Sequence, residues 1–167
     1  MYKYDDLETL NDEERLKLML SYLDIQLQDE DDDISNLSNA SAIIASLIDN
    51  LNWAGFYLLK NEELILGPFQ GRPACNRIKI GNGVCGTAVK EGKIIMVHDV
   101  HDFPGHIACD TASNSEIVIP IIKNNVIYGV LDIDSPIVGR FTDLEKKYFE
   151  RFVQKLTDKI NWDSVVK

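Results

Sequence analysis

The chain has 167 residues, of which 45% are hydrophobic and 26% are charged, and its formal net charge is −10. This length is typical of one domain that buries a core without disulfide or metal support. The sequence contains no apolar run long enough for a membrane span and no apolar segment typical of a signal peptide. Its acidity disfavours nucleic acid as a partner. We therefore expect a globular protein. An odd number of cysteines, three, without a signal peptide argues against a disulfide framework and predicts a reducing compartment, the cytoplasm.

The negative charge is concentrated at the N-terminal end. Residues 1–50 hold 13 acidic and 3 basic side chains, whereas the remaining residues hold 14 of each. Such a distribution favours a solvated helical surface, with a basic partner as the alternative.

The first elements in chain order are two helices. Asn11 and Glu14 have the spacing of a capping box, and apolar residues then recur at helical spacing until the acidic run 29–33. A second apolar stripe predicts a helix that begins near Leu37 and ends near residues 50–52. The acidic run between them is predicted to be a loop.

Strands follow, with one short helix among them. We expect a hairpin of strands 53–59 and 64–69, a helix over 84–90, a strand over 94–97, a long loop over 98–113, and a second hairpin of strands 117–122 and 126–133. Pro120 is expected to disturb the ladder locally. A capping box at Thr142 and Glu145 predicts a long last helix.

Two hairpins indicate an antiparallel sheet, hence the α+β class. We expect the N- and C-terminal helices on one face of the sheet, and a ligand pocket covered by the short helix and the long loop on the other. Residues 1–32 are interpreted as a helical extension packed on a domain of residues 33–160.

The three cysteines are candidates for redox chemistry. Cys75 and Cys109 lie in predicted loops, and Cys85 begins the short helix, where free N–H groups are expected to lower its thiol pKa. Small buried side chains, a Cys109–histidine pair for acyl transfer and a zinc site are the alternatives. No C-x-x-C spacing is present, and we expect no bound metal.

Three carboxylates are predicted to meet at one end of the sheet. Asp132 and Asp134 are two residues apart on a strand and so share a face, and the tight turn of the hairpin brings Glu116 close to them. Such a cluster favours a cationic ligand or proton donation, with a solvated strand end as the alternative. Trp53 and Tyr57 are candidates for an apolar wall.

Residues 33–154 resemble the GAF domain of the free methionine-(R)-sulfoxide reductase family. The resemblance lies in the stretches NWAGFY (52–57), LGPFQG (66–71), GVCGTA (83–88), HDV (98–100), FPGHIACD (103–110), SEIVIP (115–120) and GVLDIDS (129–135). All three cysteines are present, whereas GAF domains that act as ligand sensors lack this set.

The resemblance implies reduction of free L-methionine (R)-sulfoxide. Cys109 would be the nucleophile that becomes a sulfenic acid, Cys85 would resolve it to a disulfide, and Cys75 would be an alternative resolving thiol. Thioredoxin, kept reduced by its NADPH-dependent reductase, would be the electron donor, with no bound cofactor. Trp53 would hold the S-methyl group, and the three carboxylates would bind the ammonium group and polarise the sulfoxide oxygen. A GAF sensor without turnover is the competing hypothesis, and a homodimer is left open.

Overall fold

A computed structural model describes residues 7–105 and 110–166 of the chain. Five α-helices and six strands of the described residues follow in the order α1 (Asp12–Asp29), α2 (Asp33–Leu47), β1 (Trp53–Lys60), β2 (Glu63–Gly71), β3 (Arg77–Lys79), α3 (Gly83–Glu91), β4 (Ile95–Val97), β5 (Ser115–Lys123), β6 (Val126–Ser135), α4 (Asp143–Lys159) and α5 (Trp162–Val165). Short 3₁₀ turns lie before α1 (Leu7–Thr9) and after β4 (Val100–Asp102). No helix in the described ranges is long and apolar enough to cross a membrane.

The strands form one antiparallel sheet in the order β3-β2-β1-β6-β5-β4. Its two main hairpins close through two-residue turns, at Asn61-Glu62 and at Asn124-Asn125, and all four residues have positive φ. Asparagine tolerates this conformation better than most residues, which is why the Asn-rich turn was predictable from sequence. The register shifts between Ile121 and Ile122, just after Pro120, which confirms the expected local disturbance.

The larger core lies between the sheet and the terminal helices. Helices α1, α2, α4 and α5 cover one face with a continuous set of buried side chains, among them Leu23 of α1, Ile44 of α2 and Phe152 of α4. The capping boxes at both predicted helix starts are present and begin α1 and α4. This arrangement confirms the α+β class and the layer order expected from the sequence.

A smaller core lies on the opposite face, beneath α3. Val84, Ala88 and Val89 of α3 pack there with sheet residues such as Val118 and Val130. Helix α3 approaches β3 closely at Gly86. A Cβ at this position would lie 2.3 Å from the carbonyl oxygen of Lys79, so only glycine permits the approach. It ends at Gly92, which has φ of 62°, as predicted for a left-handed C-cap.

Three features differ from the sequence-based expectation. The short strand β3 and the last helix α5 were not predicted, because elements of three or four residues show no periodicity. The acidic run is only in part a loop, since Asp32 caps α2 and Asp33 begins it. Strands β5 and β6 are also longer than expected, which places the candidate carboxylates inside paired strands.

Candidate functional site

The three candidate carboxylates lie on the α3 face of the sheet. Asp134 is paired with Glu116 on one side and with Trp53 on the other, and Asp132 lies two residues along the same strand. Alternation of side chains along β6 sends both aspartates to the same face. The sheet register thus brings together the residues that the sequence predicted to meet.

Cys85, in the first turn of α3, lies over this carboxylate group. Its Sγ is 3.9 Å from Glu116 Oε1, and one donor atom from each of Cys85, Glu116 and Asp132 lies within 4.8 Å of the others. The three residues are 3%, 6% and 6% exposed, respectively. Asp132 Oδ1 is buried without a hydrogen-bond partner.

Burial dominates the electrostatics of this group. Desolvation, followed by repulsion from Asp132, raises the pKa of Glu116 well above its usual value, and the same two causes raise that of the partly exposed Asp134. The pKa of Asp132 is raised by desolvation to about 6, although hydrogen bonds with Cys85 and Glu116 act to lower it. The cavity therefore favours a neutral carboxylic acid or a cation among these groups.

The expectation of a lowered Cys85 pKa is wrong. Burial, followed by the charges of Asp132 and Glu116, raises the pKa of this thiol well above its ordinary value. These effects outweigh the partial positive charge of the helix N-terminus, which is worth only about 0.3–1 kcal/mol at an exposed site. Cys85 is thus a protonated thiol in a carboxylate environment.

Aromatic side chains form a wall beside the carboxylates. The Trp53 ring stacks on Phe69 at a centroid distance of 5.2 Å and on Tyr57 at 5.9 Å. Its Nε1 donates to the carbonyl oxygen of Arg72, and the Tyr57 hydroxyl donates to that of Cys75, at 3.2 and 3.0 Å. These bonds fix the rings and also hold the loop between β2 and β3, which carries Cys75.

The cysteines differ in chemical state. Cys75 is disulfide-bonded, whereas Cys85 has a free thiol. Cys109 lies outside the described residues, as does the neighbouring His106. The structure thus brings Cys85 to the carboxylates and places Cys75 above the aromatic wall.

A polar group beside the cavity was not predicted from the sequence. Asn52 Nδ2 donates to Ser113 Oγ at 2.9 Å and to Asp110 Oδ2 at 3.3 Å, while Asn52 Oδ1 is buried without a partner. The exposed guanidinium of Arg72 lies 3.8 Å from Asp110 Oδ1. The only sequence signal for this group was its position within or near the family-like stretches 52–57, 66–71, 103–110 and 115–120.

These features enclose one cavity of about 490 Å³, including its open mouth. Its described lining contains four carboxylate residues and no Lys, Arg or His, and consists of Trp53, Tyr57, Ala74, Ile78, Asn82, Gly83, Val84, Cys85, Asp110, Ser113, Glu116, Asp132 and Asp134. The composition suits a small ligand that has both an apolar part and a positive charge.

Comparison with known proteins agrees with this arrangement. The GAF domain family model matches residues 31–161. The chain is 53% identical over 123 residues to the free methionine-R-sulfoxide reductase of Escherichia coli, covering 74% of each chain. It is 45% identical over 167 residues to the free methionine-R-sulfoxide reductase of Saccharomyces cerevisiae, covering 95% of this chain and 90% of the relative.

Solved structures show the same likeness. The structure of fRMsr of Staphylococcus aureus in complex with substrate has a TM-score of 0.82 and 51% identity, covering 86% of this chain and 94% of that one. The fold and the family match define the chain as a GAF domain protein. Within that class it belongs to the free methionine-R-sulfoxide reductase family.

Proposed function

We propose that this protein reduces free L-methionine (R)-sulfoxide to L-methionine. The observation that carries the proposal is a stacked tryptophan beside three clustered carboxylates, in a cavity whose described lining has no basic side chain. A free amino acid with an apolar end and an ammonium group complements that cavity. The named activity of the relatives in E. coli and S. cerevisiae supports the same substrate.

Substrate recognition is proposed to divide between the two walls. The ammonium group binds among Glu116, Asp132 and Asp134, because a cation relieves their mutual repulsion. The S-methyl group packs on Trp53, with Tyr57 and Phe69 supporting that ring. A methionine sulfoxide inside a polypeptide has an amide where the free amino acid has its ammonium, so we expect it to be rejected.

The α-carboxylate is proposed to lie at the N-terminus of α3. Asn82, Gly83 and Val84 line the cavity, and the Asn82 side chain makes no capping hydrogen bond among the described residues. The first N–H groups of a helix lack intrahelical partners and favour an anion. This position would orient the zwitterion between opposite charges.

The proposed reaction transfers oxygen from the sulfoxide to Cys109. The Cys109 thiolate attacks the sulfoxide sulfur, and a carboxylic acid of the cavity protonates the oxygen. The oxygen is transferred to Cys109, which becomes a sulfenic acid, and methionine is released. The raised pKa values of Glu116 and Asp134 suit that proton donation. A second thiol then displaces the oxygen as water and forms a disulfide, which thioredoxin reduces by exchange.

Cys75 is the better candidate for that second thiol. It is disulfide-bonded, whereas Cys85 is a free, buried thiol whose raised pKa makes it a poor nucleophile. The cycle needs a compartment that keeps thioredoxin reduced, which for this protein we take to be the cytoplasm.

The test is NADPH oxidation coupled through thioredoxin reductase and thioredoxin. We expect turnover with free methionine (R)-sulfoxide and none with its N-acetyl derivative, which lacks the ammonium charge. Asp134→Asn should lower kcat/KM strongly, while Asp29→Asn, on the exposed end of α1, serves as the control. Binding of the sulfoxide without NADPH oxidation would instead identify a sensor, and equal rates on both compounds would refute the binding scheme.

A further inference from the structure

Cys85, Glu116 and Asp132 together form a donor set suited to a metal ion. The set combines one sulfur and two carboxylate groups, all nine-tenths or more buried, with one donor atom of each within 4.8 Å of the others. It differs from the zinc site considered from sequence, which would have used three cysteines. Zinc accepts sulfur and carboxylate ligands together, and sites with three protein ligands keep a fourth position for water.

The spacing is close to what such an ion requires. Zinc–sulfur and zinc–oxygen bonds of about 2.3 and 2.1 Å place tetrahedral donors about 3.6 Å apart. Cys85 Sγ and Glu116 Oε1 are 3.9 Å apart, so this pair needs a contraction of a few tenths of an ångström, and the donor atoms of the whole set start within 4.8 Å of one another.

A second observation favours a cation at this position. Asp132 Oδ1 is buried and has no hydrogen-bond partner, although Asp132 is only 6% exposed and lines the cavity. A buried carboxylate oxygen without a partner is costly, and a bound cation would satisfy it. The cavity lining offers no basic side chain among the described residues that could do so.

We propose that Cys85, Glu116 and Asp132 bind a thiophilic divalent cation of the zinc type, which competes with the substrate for this part of the cavity. The ion would occupy the position that the proposed function assigns to the substrate ammonium group. Competition therefore rests on the proposed function, whereas metal binding itself does not. The ion would act as an inhibitor and takes no part in the reaction.

Cobalt(II) titration of the whole protein without reductant tests the binding. Under these conditions Cys75 stays in its disulfide and Cys85 remains free. We expect one equivalent to bind with a thiolate-to-cobalt charge-transfer band and tetrahedral d–d bands, and zinc to displace the cobalt. Cys85→Ser and Asp132→Asn should each weaken binding more than about 100-fold, because each removes a ligand.

Asp31→Asn is the matched control, because it removes an exposed carboxylate from the acidic run without touching the cavity. Circular dichroism establishes that each variant is folded, and Cys85→Ala replaces Cys85→Ser if the latter is not. Absence of the charge-transfer band in wild type overturns the proposal. So does a band that survives in the Cys85 and Asp132 variants.

Competition is measured with free methionine (R)-sulfoxide as the displacing ligand, with cobalt absorbance as the readout. Increasing sulfoxide should raise the apparent dissociation constant of cobalt, and simultaneous binding of both would overturn the proposal. Failure of the proposed function can be distinguished from failure of the metal-binding proposal. If the proposed function is wrong, metal-free enzyme in EDTA shows no NADPH oxidation, whereas cobalt still gives its spectrum with protein that holds no sulfoxide.

Discussion

Replacing Asp132 by asparagine should change how the stability of the protein depends on pH. The pKa of Asp132 is about 6 in the folded protein, against an ordinary value of 3.8. A carboxyl group whose pKa is raised by folding contributes stability that is fully present below pH 3.8 and is lost as pH rises through about 6. Asparagine cannot ionise, so the variant should lack this loss.

The magnitude follows from the two pKa values. Their difference corresponds to about 3 kcal/mol over the full titration, and about 1.4 kcal/mol of it falls between pH 5 and pH 8. Asp132 is buried, so solvent screening does not reduce this figure. The charge of Asp132 also raises the pKa of Glu116 and of Asp134, so its removal should flatten the pH dependence further.

The assay is urea unfolding followed by tryptophan fluorescence at pH 5 and pH 8, with EDTA present. The lower limit stays above the sequence pI of about 4.7. Between these values the wild type should lose at least about 1.4 kcal/mol more stability than Asp132→Asn, and Asp29→Asn should match the wild type. Because asparagine also alters local hydrogen bonds, the change with pH is the readout. The same pH dependence in Asp132→Asn and wild type would refute the electrostatic account of the cavity.

Further substitutions test the chemistry and the packing. Cys109→Ser should abolish turnover, and wild-type methionine release by it would refute Cys109 as the nucleophile. Cys75→Ser should release a single equivalent of methionine and then stall with thioredoxin, whereas Cys85→Ser should keep cycling; the reverse pattern would make Cys85 the resolving thiol. Gly129→Ala should cost about 3 kcal/mol or more in urea unfolding, because its Cβ would lie 2.2 Å from the Tyr57 carbonyl oxygen, and a cost below about 1 kcal/mol would contradict that contact. Arg15→Ala should cost about 2–4 kcal/mol, since its buried guanidinium donates to the carbonyl oxygens of Leu7 and Leu47; exposed Lys17→Ala, measured in the same way, is its control.

The features that the sequence predicted well are those that depend on local chemistry. Capping boxes at Asn11 and Thr142 begin their helices where expected, and the turn at Asn124-Asn125 joins its two strands as expected. These inferences needed only residues a few positions apart in the chain. The meeting of Glu116 with Asp134 was expected from the hairpin, but it also depends on the register shift between Ile121 and Ile122, since the turn alone would pair Glu116 with Ile133.

What the sequence did not reveal depends on contacts between distant segments. The thiol pKa of Cys85 was expected to fall at a helix start, but it is raised by burial and by carboxylates that come from two other strands. Asn52 joins Ser113 through a contact across 61 positions of the chain. Neither effect leaves a periodic or local signal, so only the folded arrangement could show them.

The packing of helix α1 determines where the protein can be truncated at its N-terminal end. The family match begins at residue 31, yet Leu16, Met19 and Leu23 of α1 are almost completely buried against the rest of the fold. A fragment that begins at the family boundary would expose this apolar surface and lose the Arg15 bonds to the end of α2. The segment matched by the family model is therefore shorter than the segment that shares the core. Expression of this domain, or its transplantation into a larger chain, should keep α1 and the turn before it.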